Sequence, residues 1–223
     1  MEKIGVPHFA LAGLSGGAPY AAAVAARLGN RIAKLALVSP VGPFVEYGIS
    51  LGLRHRLQFT ALSRRPATVS AAVRAFDWSL ASITRLTERL VTWSAPRVDK
   101  RAVQNPSITQ AILRAVRDGS QSGAAGPKID LAIFSQPWAV DLSAIAAPSR
   151  VWIGTADSIV PIAAARALAR RIPNCVLTEL PGEGHLWASQ HYAEVLEWFL
   201  EAPAPATLGK PFIAELTSRS PAD

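Results

Sequence analysis

The sequence predicts an α/β fold in which a parallel sheet is flanked by helices and interrupted by a long helical insertion. Two short apolar runs, residues 8–13 and 34–38, lie on either side of an Ala-rich stretch. Strand, helix and strand joined by short links form a unit whose strands run parallel. Strand-like runs then become rare until two more occur, at residues 150–154 and 175–180. Two distant parts of the chain therefore build the sheet.

The first helices are predicted from alanine content, end signals and apolar spacing. The helix at residues 16–28 is Ala-rich and stops at Gly29, a residue typical of helix ends. The clearest helix of the insertion begins at Ser107, which forms a capping box with Gln110. Its apolar residues fall on one face: Ile108, Ala111, Ile112, Ala115 and Val116.

Two further helices follow the third strand. Pro161 opens an Ala-rich helix that reaches Ile172, since proline suits a first helical turn. The last helix, residues 187–200, is predicted to turn four side chains inward: Tyr192, Val195, Leu196 and Phe199. We also expect three tryptophans of the insertion to pack in a core: Trp78, Trp93 and Trp138.

These elements predict a division of the chain into a core, an insertion and a tail. Residues 1–42 and 141–202 form the α/β core, and residues 43–140 form a helical cap. Residues 203–223 are rich in Pro, Ala and Ser and are expected to form a flexible tail.

Composition excludes several classes of protein. Half of the 223 residues are hydrophobic and 17% are charged, so the chain can bury a core and is not disordered as a whole. A single Cys excludes a disulfide framework and a cysteine-cluster metal site. The histidines outside the motifs below, His8, His55 and His191, lack metal-ligand spacing, so we predict no metal site.

The positive charge is dispersed. Lys and Arg number 23 against 16 Asp and Glu, for a net charge of +7. The arginines are spread from Arg27 to Arg219 with no dense block, so we predict a basic surface and no nucleic-acid partner. Four of them, Arg54, Arg56, Arg64 and Arg65, are expected on a solvated face of the cap.

The sequence predicts neither a membrane span nor a signal peptide. No run of 18 apolar residues is present, so a membrane span is not expected. The apolar residues near the start are interrupted by Pro7, by Ser15 and its glycines, and by Pro19, which suit a turn better than a signal peptide. The predicted location is cytoplasmic.

A serine lies in a sharp-turn motif. Residues 13–17, Gly-Leu-Ser-Gly-Gly, match G-x-S-x-G. Such an elbow ends a strand, opens a helix and holds its serine exposed, and its neighbours are small so that strand and helix can approach. The motif is weak alone, since a plain glycine-rich turn would share it. Here it ends an apolar strand and precedes an Ala-rich helix, which favours a nucleophilic Ser15.

An acid and a base follow in the required order. Asp157 ends the segment Gly-Thr-Ala-Asp after the third strand, and His185 ends Gly-Glu-Gly-His after the fourth. Taken singly, Asp157 suits a helix start and His185 an ordinary loop. Because the carboxyl ends of parallel strands meet at one edge of a sheet, the three residues predict a catalytic triad.

These segments, with Val160 and Pro161 completing a G-x-x-D-x-x-V-P pattern, resemble the α/β-hydrolase superfamily over about residues 5–200. The resemblance implies a nucleophilic Ser15, His185 as general base and acid, Asp157 as orienting acid, and the backbone N–H of Gly16 as one oxyanion donor. It also implies that residues 43–140 are the lid that many members insert. A serine at the elbow, where dehalogenating and epoxide-opening members carry Asp, implies cleavage of ester, lactone, thioester or amide bonds.

The chain departs from the family at its start. In the family the elbow follows the fifth strand, so roughly 60–90 residues have no counterpart here, including the loop that carries a second oxyanion donor. We therefore expect Met1 to be internal to a longer natural protein. The strand at residues 8–13 would keep one unpaired, apolar edge, through which copies could associate.

Two functions follow from these patterns. The first is a cofactor-free serine hydrolase of small molecules that works through an acyl-enzyme. The alternative is a non-catalytic fragment or binding protein that keeps the triad without a complete oxyanion hole.

Overall fold

The structure, a computed structural model, describes residues 5–45, 51–82 and 84–201. The predicted tail, residues 203–223, lies outside the described residues. Four parallel strands form one sheet in the order β1-β2-β3-β4. Their bounds are β1 Phe9–Leu14, β2 Ile32–Val38, β3 Ser149–Gly154 and β4 Cys175–Leu180. The predicted parallel α/β fold is confirmed.

Nine helices lie in the described part of the chain. They are α1 Ala18–Leu28, α2 Leu53–Arg56, α3 Pro66–Ser82, α4 Thr84–Ser94, α5 Lys100–Val103, α6 Pro106–Gly119, α7 Ala125–Phe134, α8 Ile162–Arg171 and α9 Ala188–Leu200. A π-helical turn, Leu57–Ala61, continues α2. Short 3-10 turns include Ser15–Gly17 at the end of β1 and Arg97–Asp99 before α5. Among the described residues, no helix is long and apolar enough to cross a bilayer.

The core lies on both faces of the sheet because alternate strand residues point to opposite sides. Leu35 and Leu37 of β2 join the alanine-rich faces of α1 and α8 on one side. Ala36 and Val38 of the same strand pack with α9 on the other. There Trp152 of β3 is fully buried and meets Trp198 edge-to-face with ring centroids 5.4 Å apart. This second face fixes α9 and the loop before it.

The two outer strands differ from the inner ones. Six of the seven residues of β2 are buried, as expected for a strand covered on both faces. In β1 only Gly13 is buried, and among the described residues this strand pairs with β2 alone. Association of copies through this edge stays a prediction.

The capping box predicted for the insertion is wrong. The cap of α6 is Asn105, whose side-chain oxygen accepts a hydrogen bond from the backbone N–H of Ser107 at 3.0 Å. The helix starts at Pro106, because proline fits the first helical position and asparagine is a strong cap. Ser107 therefore lies one residue inside the helix.

Four of the predicted inward-facing side chains lie at the surface. Tyr192 and Leu196 of α9 are exposed, and so are Trp78 and Trp93, at 63% and 78%. Helix α9 kinks at His191 and turns Val195 and Trp198 inward, so only part of the predicted face meets the sheet. Trp138 and Val195 are buried as predicted.

Candidate active site

The elbow serine lies in a strained turn between β1 and α1. Ser15 has a backbone φ of +50°, a conformation that non-glycine residues rarely adopt and that clusters at functional sites. A Cβ on Gly13 would lie 2.8 Å from the Cβ of Ala21. Glycine at this position therefore allows helix α1 to turn back tightly against β1, which lifts Ser15 to the edge of the sheet.

Asp157 is fixed in the turn after β3. Its side chain is fully buried. One oxygen, Oδ1, accepts hydrogen bonds from the backbone N–H groups of Ile159 at 2.8 Å and Val160 at 2.9 Å. The other oxygen, Oδ2, lies 2.8 Å from Nδ1 of His185. Each oxygen thus has its own partners, so the carboxylate cannot rotate without losing them.

His185 joins the two other predicted residues. Its Nε2 lies 2.9 Å from Oγ of Ser15 and its Nδ1 contacts Asp157, while its side chain is 8% exposed. The sequence placed these residues after three different strands, and the structure brings them into one hydrogen-bonded chain. A buried carboxylate at Nδ1 favours the tautomer that leaves Nε2 free to accept a proton.

Two glycines let the histidine loop approach the sheet. A Cβ on Gly154 would lie 2.2 Å from the carbonyl oxygen of Glu183, and a Cβ on Gly184 would lie 2.3 Å from Oδ1 of Asp99. Real Cβ atoms do not come this close, so both positions require glycine. Gly154 and Gly184, one from each sequence motif, therefore allow close packing around His185.

Sequence reasoning missed two polar residues beside His185. The hydroxyl of Ser39 donates a hydrogen bond to the carbonyl oxygen of His185 at 3.2 Å. Oδ1 of Asp99 accepts a hydrogen bond from the backbone N–H of Leu186 at 2.8 Å. Ser39 could have been found, because it directly follows β2 as Ser15 directly follows β1. Asp99 gave no signal, since its contact spans 87 residues.

Gly16 directly follows the serine in the turn. A Cβ there would lie 2.8 Å from the ring of Phe134 at the end of α7. Helix α7 is also joined to α1 by a hydrogen bond from the hydroxyl of Tyr20 to Asp130. Burial and this hydrogen bond raise the pKa of Tyr20 to about 12. The helical region thus packs directly against the elbow.

A cavity of about 650 Å³ opens beside Ser15 and His185, within the range of small-molecule sites. Its walls come mainly from α6 and α9, with Ile108, Ala111, Ile112, Ala115, Tyr192 and Val195. The side chains around it are mostly apolar, and of the described residues that line it, only His185 and the Tyr192 phenol can titrate. Four of the five residues of the apolar face predicted for the α6 region thus line a cavity next to the predicted nucleophile.

A family model and several solved structures are similar to the chain. A model described as "Alpha/beta hydrolase family" matches residues 2–198. Similar solved structures include a bromoperoxidase from Bacillus anthracis, with a TM-score of 0.61 and 18% identity over 90% of this chain and 70% of that one. A thermophilic esterase from Thermogutta terrifontis gives 0.58 and 20% over 89% and 66%. An alpha/beta hydrolase fold protein from Nakamurella multipartita gives 0.56 and 23% over 87% and 71%. No curated protein matches the chain.

Proposed function

The chain belongs to the α/β-hydrolase family, and from this premise we propose that it is a serine hydrolase. Its substrate is a small molecule with a carboxylic ester, lactone, thioester or amide bond. The observation that carries the proposal is the hydrogen-bonded chain from Ser15 through His185 to Asp157, with distances of 2.9 and 2.8 Å. A base within hydrogen-bond reach of a hydroxyl, oriented by a buried acid, is the arrangement that activates a serine.

The proposed reaction has two halves. Nε2 of His185 takes the proton of Ser15 while Oγ attacks the carbonyl carbon, and the carbonyl oxygen becomes an oxyanion. As the tetrahedral intermediate collapses, His185 gives that proton to the leaving group, which departs as an alcohol, thiol or amine. Water then repeats the sequence on the acyl-enzyme and releases the acid. Every proton moves through His185, and the reaction needs no cofactor.

Gly16 is proposed as one oxyanion donor. Its backbone N–H follows the nucleophile directly, in the position that supplies one donor in an elbow of this type. A single such donor contributes about 3–4 kcal/mol to the stability of the transition state.

Labelling with a fluorophosphonate tests the proposal. The reagent forms a covalent bond only with an activated serine, so the wild-type chain should be labelled and Ser15→Ala should not. Ser143→Ala, which changes an exposed serine outside the site, is the matched control and should be labelled as wild type. Folded wild-type chain that resists labelling would overturn the proposal and favour the non-catalytic binding protein.

A further inference from the structure

The apolar lining of the cavity beside Ser15 suits the binding of an apolar chain. The side chains Ile108, Ala111, Ile112 and Ala115 follow the i, i+3, i+4, i+7 spacing of one helix face, and all four line the cavity. On the opposite wall, Tyr192 is 64% exposed. Apolar surface that faces an open cavity next to a nucleophile is left to be covered by a ligand.

We propose that the site takes neutral acyl groups with an extended apolar chain, which lies between α6 and α9 while the carbonyl carbon faces Ser15. This substrate class rests on the proposed serine hydrolase function. The net charge of the chain is +7, yet no Lys or Arg in the described part of the chain lines this cavity. A carboxylate at the end of the acyl chain would lose its water without gaining a cation, which disfavours it strongly.

The length of the acyl chain determines how much kcat/KM is expected to increase. Each methylene group transferred from water into an apolar site should raise kcat/KM about fourfold. We therefore expect p-nitrophenyl octanoate to exceed p-nitrophenyl acetate by at least a hundredfold. The mono-p-nitrophenyl ester of suberic acid, which has the same length and a terminal carboxylate, should remain near the acetate.

Two variants test where the acyl chain of the substrate binds. Ala111→Trp narrows the cavity and should lower the octanoate-to-acetate ratio of kcat/KM at least tenfold. Val116→Trp lies on the same helix outside the cavity lining, at a position 46% exposed, and should keep the ratio. An octanoate advantage below threefold, or suberate turnover equal to that of octanoate, would overturn the substrate class.

Failure of the substrate class is separable from failure of the proposed function. Fluorophosphonate labelling of the same preparation reports whether Ser15 is activated. If the chain is labelled but hydrolyses neither ester, the labelling rates of octyl and ethyl fluorophosphonates are compared. Faster reaction of the octyl reagent supports the apolar chain site, and equal rates contradict it.

A second feature concerns the peptide group that follows the catalytic histidine. The carbonyl of His185 and the N–H of Leu186 belong to one peptide unit. Ser39 binds its oxygen at 3.2 Å and Asp99 binds its nitrogen at 2.8 Å. Both side chains are buried, at 0% and 2% exposure. Because both the carbonyl and the N–H of this peptide group are hydrogen-bonded to buried side chains, the orientation of the backbone at His185 is restricted.

The structure assigns Asp99 as a positioning residue for His185, acting through the Leu186 N–H, again on the premise of the proposed function. Asp99 lies in the helical region between α4 and α5, whereas the peptide that it holds belongs to the loop between β4 and α9. Its second oxygen, Oδ2, is buried with no hydrogen-bond partner among the described residues. A buried carboxylate held by one backbone N–H is costly for stability, so we ascribe its presence to the geometry that it imposes.

Three variants separate the hydrogen bond from packing. Asp99→Ala removes the acceptor and should lower kcat about tenfold to hundredfold with little change in KM, as expected for a hydrogen bond to a charged group expressed in the transition state. Asp99→Asn keeps an acceptor oxygen and should recover most of kcat. Asp99→Leu fills the space of the branched carboxylate without restoring an acceptor, so kcat should stay low.

The readouts exclude a general loss of structure. Values of kcat are referred to active sites titrated with fluorophosphonate, so unfolded protein does not count. The downfield proton resonance of the His185 Nδ1–H bonded to Asp157 should weaken in Asp99→Ala and return in Asp99→Asn. Unchanged kcat in Asp99→Ala, or wild-type kcat in Asp99→Leu, would overturn the assignment. If Asp99→Ala does not fold, Ser39→Ala tests the other end of the same peptide by the same criteria.

Discussion

Exchange of Asp157 for asparagine tests the orientation of His185 at nearly constant volume. Oδ1 of Asp157 accepts two backbone N–H groups, at 2.8 and 2.9 Å, and an amide can accept only through its oxygen. In Asp157→Asn the amide oxygen should therefore stay at these donors, and the NH₂ group should face Nδ1 of His185. Nδ1 must then accept, so the ring proton moves to Nε2.

That tautomer cannot activate the serine. An Nε2–H would donate to Oγ of Ser15, 2.9 Å away, and could not take its proton. The same exchange in serine triads lowers kcat about 10⁴-fold, which corresponds to about 5 kcal/mol. Because the side chain of Asp157 is fully buried, water cannot stand in for the lost oxygen, and we expect a loss of this order.

Hydrolysis of a p-nitrophenyl ester and thermal unfolding measure the two consequences. Asp157→Asn should lose activity while its melting temperature stays within about 5 °C of wild type, because its backbone hydrogen bonds are kept. Asp141→Asn makes the same chemical change at an exposed turn away from the site and should keep wild-type activity. A folded Asp157→Asn variant within tenfold of wild-type kcat would refute the reasoning.

Three further predictions concern the scaffold around the site. Gly184→Ala should lower both activity and melting temperature because its Cβ would lie 2.3 Å from a buried carboxylate oxygen, whereas Gly119→Ala, in open space, should change neither. Lys34→Met keeps the apolar stem of a buried lysine but removes its hydrogen bonds to two carbonyl oxygens at the end of α9. The free energy of unfolding measured with urea should therefore decrease by about 2 kcal/mol. Burial raises the pKa of the Cys175 thiol to about 11. Because the folded state holds this proton more tightly than the unfolded state, the contribution of the thiol to the free energy of unfolding should be complete below about pH 9. That contribution should decrease between about pH 9 and 11. Cys175→Ser should remove that part of the pH dependence, and the native thiol should react slowly with iodoacetamide at pH 8.

Local patterns in the sequence were enough to predict the sheet and the residues at its edge. Short apolar runs mark all four strands within a few residues, because a buried strand needs apolar side chains whatever surrounds it. The elbow glycines and the order of Ser15, Asp157 and His185 depend on local turns and strand ends, which the chain encodes over a few positions. The catalytic roles of these residues remain predictions for the labelling experiment.

Contacts between distant segments were decided only by the tertiary structure. Nothing near Asp99 in the sequence indicates that its carboxylate meets the peptide after His185. The apolar face of α6 was predicted, but its position over Ser15 was not. Trp93 was expected in a core and is 78% exposed, because the same apolar residue suits a core or a surface until the packing of neighbouring helices is known. The sequence of each helix or strand determines which of its faces is apolar. The contacts of that face depend on how the helices and strands are placed relative to one another, because packing brings together residues that are far apart in the chain.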